Sequence, residues 1–388
     1  MDFAPSATQQ AVREAVARIC ARFDDAYWLE RDRRGGFPTE LHQALAADGW
    51  LGICIPEEYG GSGLGIAEAA VMMQAIAESG AAMAGASAVH MNIFGLNPVV
   101  MFGTDAQKRR FLPPLVAGKE RACFAVTEPN AGLDTTAIET RAERRGDAYV
   151  LRGAKIWIST AQVAEKMLIL ARTMPRDRVA RRTQGLSLFY TTLDRSRVEV
   201  REIEKMGRKA VDSNQLFIDG LDVPVEDLIG EEGRGFDYIL HGINPERILV
   251  AAEAVGIGRA ALARASTYAK ERIVFNRPIG QNQGIQHPLA ERWIELEAAQ
   301  LMVASAAWHY DNGRPSGASA NAAKYLAAEA GVKACETAML TLGGYGYAKE
   351  YHVERYLREV MITRLAPVSP QLILCYIAEK VLGLPKSY

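Results

Sequence analysis

Residue types that often perform chemistry are spread thinly along this chain of 388 residues. Its six histidines lie far apart and its five cysteines form no C-x-x-C pair, so the sequence has no local zinc motif and no disulfide framework. It also lacks the P-loop, the G-x-S-x-G elbow and the H-E-x-x-H pair. The glycine-rich run at 60–65 has no strand-turn-helix context and is predicted to be a loop. These absences argue against P-loop nucleotide hydrolysis, serine-hydrolase chemistry and zinc-dependent proteolysis.

Composition indicates a globular protein with no general affinity for polyanions. With 49% apolar residues the chain can bury large cores, and its length suits two or three domains. Its 45 basic and 46 acidic residues leave a net charge of −1, which gives no global attraction to nucleic acid or to an anionic membrane. The scattered cysteines and an N-terminus without a secretory pattern fit a reducing compartment. We therefore expect a cytoplasmic protein with no nucleic-acid partner.

One uncharged segment raises the question of a membrane span. Residues 79–104 contain no Asp, Glu, Lys or Arg, which is long enough to cross a bilayer. The segment nevertheless carries His90, Asn92, Asn97 and several glycines. These polar and helix-weakening residues suit a helix packed inside a bundle better than a helix that faces lipid. We predict no membrane span here.

Residues 1–119 are predicted to form a helical domain. Ser6 and Gln9 make a capping box before an amphipathic face, and Thr104 and Gln107 make a second one. Thr39 is predicted to cap the second helix of this domain.

The hydrophobic period changes to that of strands in residues 120–233. Runs of β-branched and aromatic residues at 148–159, 166–172, 186–193 and 213–225 are separated by turn residues. No strand there precedes a helix of crossover length, so a Rossmann-type parallel sheet is not expected.

Long alanine-rich helical patterns with short connections then fill residues 234–388. The predicted fold class is a multidomain α+β fold. It has an N-terminal helical domain, a middle β-barrel or sandwich domain and a C-terminal domain like a four-helix bundle.

Five segments in a fixed order resemble those of the acyl-CoA dehydrogenase family. The first, FAVTEPNAGLDTTAIET at 124–140, is similar to the T-E-P-x-A-G-S-D signature of that family. The others are KIWIS at 155–159, KMGRKAVDSNQLFIDGLDVPVEDLIGEEGRGF at 205–236, ERIVFNRPIG at 271–280 and TLGGYGYAKEYHVERYLRE at 341–359. The resemblance covers nearly the whole chain and repeats the helical, β, helical order found from periodicity.

The resemblance implies a flavoprotein of fatty acid metabolism that binds FAD and oxidises the Cα–Cβ bond of an acyl-CoA thioester. It also implies a homotetramer, built as a dimer of dimers, that passes electrons to an electron-transfer flavoprotein. A flavin ring needs a flat apolar wall and hydroxyl or backbone donors near its reactive edge. Trp157 matches the wall residue of the family, and Thr127 and Ser159 match its hydroxyls. The other positions implied for FAD are Phe124, Val126, Gly132, Leu133, Arg272, Phe275, Gln283, Gly343, Gly344, Ser369 and Gln371.

The pyrophosphate of a dinucleotide needs a cation and a close approach of backbone. Arg272 offers a planar guanidinium, and Gly343-Gly344 lets a main chain come near. In the family, this arginine and Phe275 reach the FAD of a neighbouring subunit, so the resemblance makes association part of cofactor binding. Two positions depart from the family: Leu133 replaces a Ser and Leu340 replaces a Gln, and each change removes a polar contact to FAD.

The catalytic base is a further departure. Abstraction of an α-proton needs a carboxylate at the α-carbon and donors on the thioester carbonyl. Most of the family carries that Glu in a C-terminal loop, where this sequence has Pro367, which also lacks a backbone N–H. A minority carries the base just before an arginine of the C-terminal domain, a position that Glu246-Arg247 matches. Because Glu246 follows Pro245 at a predicted helix start, the helix dipole would lower the pKa of its carboxyl unless burial raises it.

Glu246 is thus the candidate base, with Asn244 and Arg247 as candidate substrate-binding residues. Three alternatives remain open on the sequence alone. Loss of the C-terminal Glu leaves open a flavin oxidase or monooxygenase on the same fold. The changes at Leu133 and Leu340 leave open a catalytically silent subunit that binds FAD or acyl-CoA. The third alternative is that Glu246 has no catalytic role and is only a first-turn residue of its helix.

Overall fold

The computed structural model describes residues 4–387, so the predicted chain limits at 1 and 388 lie outside the described residues. The N-terminal part is helical as predicted. Ser6 Oγ accepts the Gln9 N–H and Gln9 Oε1 accepts the Ser6 N–H, which confirms the first capping box. The Thr104–Gln107 box is also formed. The α-helices are α1 Ala7–Cys20, α2 Asp25–Arg34, α3 Thr39–Ala47, α4 Ile66–Ile76, α5 Ala82–Ser87, α6 Asn97–Phe102 and α7 Asp105–Val116.

Two details of this part were predicted wrongly. Thr39 is the first residue of α3 rather than its cap, and Pro38 occupies the cap position without a side-chain hydrogen bond. The helix is the third rather than the second, because α2 precedes it. The sequence of α2 is so rich in charge that only Trp28 and Asp32 are buried, which leaves no apolar stripe to detect.

The uncharged segment 79–104 is helical but irregular, and its central residues 80–99 are almost all buried. Single π-helical turns at Ala77–Ala81 and Met91–Gly95 stand on either side of α5. Within the described residues, the helical stretch that passes a length and hydropathy test for a membrane span is Val353–Lys380, not 79–104. That stretch is divided into three helices, with breaks at Met361 and at 366–369.

The middle part is one eight-stranded sheet in the order β6-β7-β3-β2-β4-β5-β8, with β1 paired to β4. Two predicted runs, β3 and β4, match the strands residue for residue. The strands β1, β2, β6 and β8 were not predicted, since they are short or, like β2, mostly charged. The strands are β1 Ala122–Ala125, β2 Arg141–Arg145, β3 Ala148–Ser159, β4 Lys166–Arg172, β5 Leu186–Thr192, β6 Val198–Glu202, β7 Ser213–Pro224 and β8 Leu228–Ile229.

The C-terminal part packs long helices around α8, which runs from Gly235 to Glu271. Close approach is part of this packing: a Cβ on Gly256 would lie 2.6 Å from the Gln74 carbonyl oxygen of α4. The other helices are α9 Gln283–Asp311, α10 Gly317–Leu342, α11 Val353–Val360, α12 Ile362–Leu365 and α13 Pro370–Lys380. A hairpin of β9 Ile273–Val274 and β10 Arg277–Pro278 follows α8.

The start of α8 corrects the prediction made for Glu246. The helix begins at Gly235, so Pro245 lies inside it and Glu246 is not a first-turn residue. Proline inside a helix removes one hydrogen bond and costs about 3 kcal/mol. Burial of the following turns, in which every residue of 248–258 is buried, offsets that cost. The N-terminal dipole argument therefore does not apply to Glu246.

Candidate active site

An exposed aromatic wall stands on β3. Trp157 has a positive φ of 61° and is 57% exposed, next to a break in the β3–β7 register between Lys155 and Ile158. Such a bulge re-aims a side chain away from the regular pleat. The Ile156 N–H donates to the Thr127 carbonyl over 2.9 Å, so the hydroxyl-bearing Thr127 lies beside the wall. The Trp157 ring has the flat apolar surface that a flavin ring requires.

A buried ion pair joins the segment at 124–140 to the segment at 155–159. Lys155 Nζ donates to Glu128 Oε1 over 2.8 Å and to the carbonyls of Val126 and Leu170. Burial lowers the pKa of Lys155 to about 8, and the Glu128 charge opposes that effect. Glu128 also accepts the Glu139 N–H, which closes the loop that carries Gly132 and Leu133. The motifs contain both residues, but their contact spans 27 positions and was not predicted from sequence.

Arg208 supports the hydroxyl of Ser159. Its guanidinium donates to Ser159 Oγ over 3.0 Å, to Ser213 Oγ over 2.8 Å and to Ser87 Oγ over 3.1 Å. Because Arg208 only donates, the Ser159 hydroxyl hydrogen remains free for an acceptor on a ligand. Trp157, the hydroxyls of Thr127 and Ser159, and the Arg208 guanidinium that donates to Ser159 therefore fit the edge of a flavin ring.

Of the remaining FAD candidates in this region, Phe124 is half-buried on β1, Val126 is buried, and Gly132 is exposed. Leu133 is 59% exposed with φ 64°. These residues and the Trp157 wall come from β1, β3 and the loop between β1 and β2.

Arg272 and Gly343-Gly344 are brought together at a separate cavity of about 570 Å³. Arg272 lies over the Tyr345 ring at 5.8 Å, at the end of α8. The residues that line this cavity all belong to the C-terminal part, from Tyr268 to Glu350. The Trp157 wall contributes none of them. The structure thus places the candidate FAD residues of the described chain in two separate groups, which we call half-sites.

The hairpin after Arg272 presents an aromatic side chain to the outside. Phe275 and Asn276 form its two-residue tip with φ values of 52° and 63°, and Phe275 is 94% exposed. A phenylalanine in the left-handed region is rare, and such strain concentrates at ligand contacts. Gln283 is exposed as the first residue of α9.

Glu246 occupies a different environment in the middle part of α8. It is half-buried and forms no hydrogen bond with another described residue. Burial raises the pKa of Glu246 to about 8; the charge of Glu253 adds to this rise, and the charges of Arg247 and Lys324 oppose it. The carboxyl therefore titrates close to neutral pH.

The two candidate substrate-binding residues lie next to this carboxyl. Arg247 Nη1 donates to Asn244 Oδ1 over 2.9 Å, and Asn244 Nδ2 donates to Ser316 Oγ of the α9–α10 loop over 3.4 Å. The Nε of Arg247 is buried without a partner among the described residues. The Arg247 Nε–H is thus available, beside Glu246, as a donor for a polar group of a ligand.

The loop that carries Pro367 is tied to α10. Lys324 is buried and donates to the Val368 carbonyl over 2.6 Å, and Arg364 forms a two-pronged pair with Glu329 at 2.8 and 2.7 Å. Sequence analysis did not identify Lys324, because a lysine in an alanine-rich helix carries no signal of its burial. Of the FAD candidates after this loop, Ser369 caps α13 by accepting the Leu372 N–H, and Gln371 is exposed.

Comparison with known proteins supplies the context for these half-sites. Profiles described as the acyl-CoA dehydrogenase N-terminal, middle and C-terminal domains match residues 6–119, 123–221 and 233–367. The acyl-CoA dehydrogenase fadE12 of Mycobacterium bovis is 38% identical over 391 residues, which covers 100% of this chain and 99% of that protein.

Two solved structures have the same fold over nearly the full length. A glutaryl-coenzyme A dehydrogenase in complex with glutaryl-CoA has a TM-score of 0.94 and 32% identity, covering 100% of this chain and 98% of that one. An FAD complex of PigA has a TM-score of 0.93 and 28% identity, covering 99% of this chain and 100% of that one.

Proposed function

The chain belongs to the acyl-CoA dehydrogenase family, and from that premise we propose that it oxidises the Cα–Cβ bond of an acyl-CoA thioester to the 2-enoyl-CoA, with Glu246 as base. The observation that supports this choice of base is the environment of Glu246, a half-buried carboxyl with no hydrogen-bond partner among residues 4–387. A proton acceptor needs its lone pairs free for the substrate. Glu246 receives the Cα proton, and the electron pair of that C–H bond becomes the new double bond.

FAD is the cofactor of this family, and when bound it accepts the hydride that leaves Cβ. In the proposal Trp157 forms the wall against the ring, and Thr127 and Ser159 supply hydroxyls at its edge. Phe124, Val126, Gly132, Leu133, Ser369 and Gln371 complete the contacts implied by the resemblance. Arg208 fixes the Ser159 hydroxyl, so this donor is oriented before a ligand arrives.

The charge of Glu246 sets the pH dependence. With the pKa of Glu246 raised to about 8, the carboxyl is mostly protonated below that pH and cannot accept a proton. Activity limited by this base should therefore rise with pH through about 8. A base whose pKa is near the working pH combines availability with driving force.

Binding of the thioester is assigned to the residues of α8 that lie beside Glu246. We propose that Arg247, whose Nε has no partner in the described part of the chain, and Asn244 contact polar atoms of the acyl-CoA beside the base. Pro367 has neither a carboxylate nor an N–H to offer, so its loop cannot contribute the base that most of the family places there.

The exposed half-site is assigned to a neighbouring copy. In the proposal Arg272, Phe275, Gln283 and Gly343-Gly344 bind the phosphate and adenosine portion of the FAD of another subunit. The separation of their cavity from the Trp157 wall supports this arrangement. A homotetramer that works in the cytoplasm in fatty acid metabolism and transfers electrons to an electron-transfer flavoprotein completes the proposal.

Anaerobic titration of the purified flavoprotein with straight-chain acyl-CoAs tests the proposal. Bleaching of the oxidised flavin spectrum with formation of the enoyl-CoA is expected. Persistence of the oxidised spectrum with every thioester would instead favour a silent binding subunit.

Admission of air after reduction separates the oxidase alternative, which the loss of the loop Glu at Pro367 motivates. Slow re-oxidation by oxygen, with fast re-oxidation by an electron-transfer flavoprotein, is the dehydrogenase outcome. Rapid re-oxidation by air alone would identify an oxidase.

A further inference from the structure

Arg208 is a buried cation whose hydrogen-bond partners carry no charge. Only 9% of this residue is exposed, and its guanidinium donates, among the described residues, to the hydroxyls of Ser87, Ser159 and Ser213. Buried charges in folded proteins are normally paired with an opposite charge, because an unpaired one loses its water without compensation. An arginine stays protonated in proteins, so the positive charge at this point is permanent.

The carboxylates that act on this charge are bound to other groups. Burial lowers the pKa of Arg208, and three carboxylates oppose that effect: Glu359, Asp212 and Glu253. Their own partners lie at 3.0 to 3.3 Å: Arg355 for Glu359, the Gln162 N–H for Asp212 and His90 for Glu253. In the described part of the chain, none of the three lies within ion-pair distance of the guanidinium. The surrounding charges therefore favour Arg208 without neutralising it by contact.

The backbone at Arg208 is strained. Its φ of 57° is in the left-handed region, which residues with a Cβ rarely adopt. The preceding Gly207 lies so close to α11 that a Cβ on it would be 2.8 Å from the Arg358 carbonyl oxygen. Strain of this kind concentrates at functional sites, since the surrounding structure must maintain it. A strained, buried arginine without a contacting counter-charge is expected to act on a charge that arrives with a ligand.

The guanidinium lies behind the hydroxyl that faces the proposed flavin edge. Ser159 of β3 and Ser213 of β7 are cross-strand partners, and Nη2 of Arg208 donates to both, over 3.0 and 2.8 Å. Nη1 is held by Ser87 of α5 over 3.1 Å. Since the Ser159 hydroxyl hydrogen is free to be donated outward, an atom that accepts it would lie about 4.5 to 5 Å from Nη2.

We propose that the charge of Arg208, acting through the Ser159 hydroxyl, raises the reduction potential of the bound flavin. This inference rests on the proposed function for the place of the flavin ring. A hydride carries two electrons and one proton, so its transfer from Cβ adds one negative charge to the ring, while the Cα proton goes to Glu246. A permanent positive charge about 5 Å away stabilises the charged ring more than the neutral one. Arg208 is thus a positioning residue that makes acceptance of the hydride more favourable.

The experiment measures the two-electron midpoint potential of the bound flavin by anaerobic titration with dithionite in the presence of a reference dye. Arg208→Gln should lower this potential by roughly 30 to 60 mV, which is a tenfold to hundredfold change in the equilibrium between oxidised and reduced flavin. Arg201→Gln is the matched control. It removes a positive charge from the same sheet, at the exposed pair of Arg201 with Glu199 on β6, and should leave the potential unchanged.

Ser87→Ala separates the electrostatic role of Arg208 from a structural one. The variant removes the hydrogen bond that ties the guanidinium to α5, but it keeps the charge and the contact with Ser159. Its melting temperature is expected to fall while its flavin potential stays at the wild-type value. A potential that falls as far in Ser87→Ala as in Arg208→Gln would assign the effect to the loss of a structural tie and contradict the proposal.

Arg208→Lys keeps the test decisive if the glutamine variant does not retain FAD. Burial lowers the pKa of a lysine, as it does for the neighbouring Lys205, whose pKa is lowered to about 8. The flavin potential of Arg208→Lys should therefore match that of the wild type at about pH 6 and fall below it by about pH 9, where the arginine keeps its charge. Comparison at equal pH cancels the proton dependence of the flavin itself.

An unchanged or higher potential in Arg208→Gln would overturn the inference and leave Arg208 as a structural tie between α5 and the sheet. If that variant loses its FAD, a potential of Arg208→Lys that stays parallel to the wild type from about pH 6 to about pH 9 would have the same meaning. The titration contains no thioester. Failure of every acyl-CoA to reduce the flavin would therefore overturn the proposed function while the dependence of the potential on Arg208 still stands.

Discussion

The two halves of the proposed site are built in opposite ways. The base half is partly buried within one chain, and the groups that act on the charge of Glu246 come from α8 and α10. The phosphate half is exposed, with Phe275 94% accessible beside the cavity at Arg272. A buried group is tuned by the packing of its own chain, whereas an exposed group acts in water until a ligand or a second copy covers it. Changes in the first half should therefore alter chemistry, and changes in the second should alter cofactor retention.

The largest expected effect belongs to the base half. Glu246→Gln keeps the size of the side chain but removes proton acceptance, so flavin reduction should slow by roughly 10² to 10⁴ while acyl-CoA still binds. Anaerobic stopped-flow reduction measures this rate. Asp237→Asn, in the exposed first turn of the same helix, is the control and should leave the rate unchanged. An unaltered rate in Glu246→Gln would mean that the base lies elsewhere.

A second variant tests whether the base has only changed its position, from the C-terminal loop to Glu246 on α8. Pro367→Glu in the Glu246→Gln background returns a carboxylate and a backbone N–H to the C-terminal loop. Partial recovery of flavin reduction is expected, measured by the same stopped-flow assay. Pro367→Ala in that background is its control, because it restores the N–H without a carboxylate and should not recover the rate.

In the phosphate half, Arg272→Ala should weaken FAD retention rather than the chemical step. Loss of a charged hydrogen bond of about 1.5 to 3 kcal/mol corresponds to roughly ten- to hundredfold weaker binding. The flavin-to-protein ratio after dialysis measures it. Arg277→Ala in the same hairpin is the matched control, since Arg277 pairs with Asn282 and does not line the cavity. Full flavin occupancy in Arg272→Ala would contradict the assignment.

A smaller effect is expected at the hairpin tip. Phe275→Gly relieves the strain of a phenylalanine at φ 52° and also removes the exposed aromatic, so the hairpin should persist while flavin retention falls several-fold. Flavin content measured together with light scattering during dilution tests whether the loss follows dissociation of the oligomer. A stable monomer that holds its full FAD would contradict a shared cofactor site.

The sequence predicted the fold well where one period persisted between clear turn residues. β3 and β4 were located residue for residue because both are apolar or aromatic runs, with Gly146-Asp147 just before β3 and Pro175 shortly after β4. In contrast, α2 and β2 carry so many charges that neither shows an apolar face. The three-domain fold and the family are confirmed. The roles of the individual site residues stay predictions.

The environment of the base was less predictable than its position. Pro245 indicated a helix start, but the preceding turns of α8 pack against the segment 91–98, where a Cβ on Gly242 would lie 2.7 Å from the Phe94 carbonyl oxygen. Burial rather than a dipole therefore controls the pKa of Glu246. Contacts such as Glu128–Lys155 or Arg208–Ser159 join residues 27 and 49 positions apart, and no local pattern encodes such distances.

The smallest expected effect is a shift in the pKa of Glu246 caused by a residue that is not assigned to the substrate. It refines the comparison of the two halves of the site. Lys324 lies on α10, where its charge lowers the pKa of Glu246 and its Nζ holds the Val368 carbonyl over 2.6 Å. Lys324→Met removes both effects. Loosening of the loop would reduce the rate at every pH, whereas loss of the positive charge should raise the pKa of Glu246 and shift the half-maximal pH of flavin reduction upward by roughly half to one unit.

The pH midpoint therefore separates the electrostatic role of Lys324 from its structural one. Burial lowers the pKa of Lys324 itself to about 8. Lys324→Arg supplies a permanent positive charge and should therefore hold the midpoint at the wild-type value or slightly below it, even if the longer side chain disturbs the loop. Lys333→Met is the control on the same helix, since Lys333 pairs with Glu295 of α9 at 3.0 Å and faces away from the base. Arg247 and Glu253 remain in all three variants, so their contributions cancel in the comparison. A midpoint that does not move in Lys324→Met would leave Lys324 as a tether of the Pro367 loop only, and the tuning of the base would then come from α8 alone.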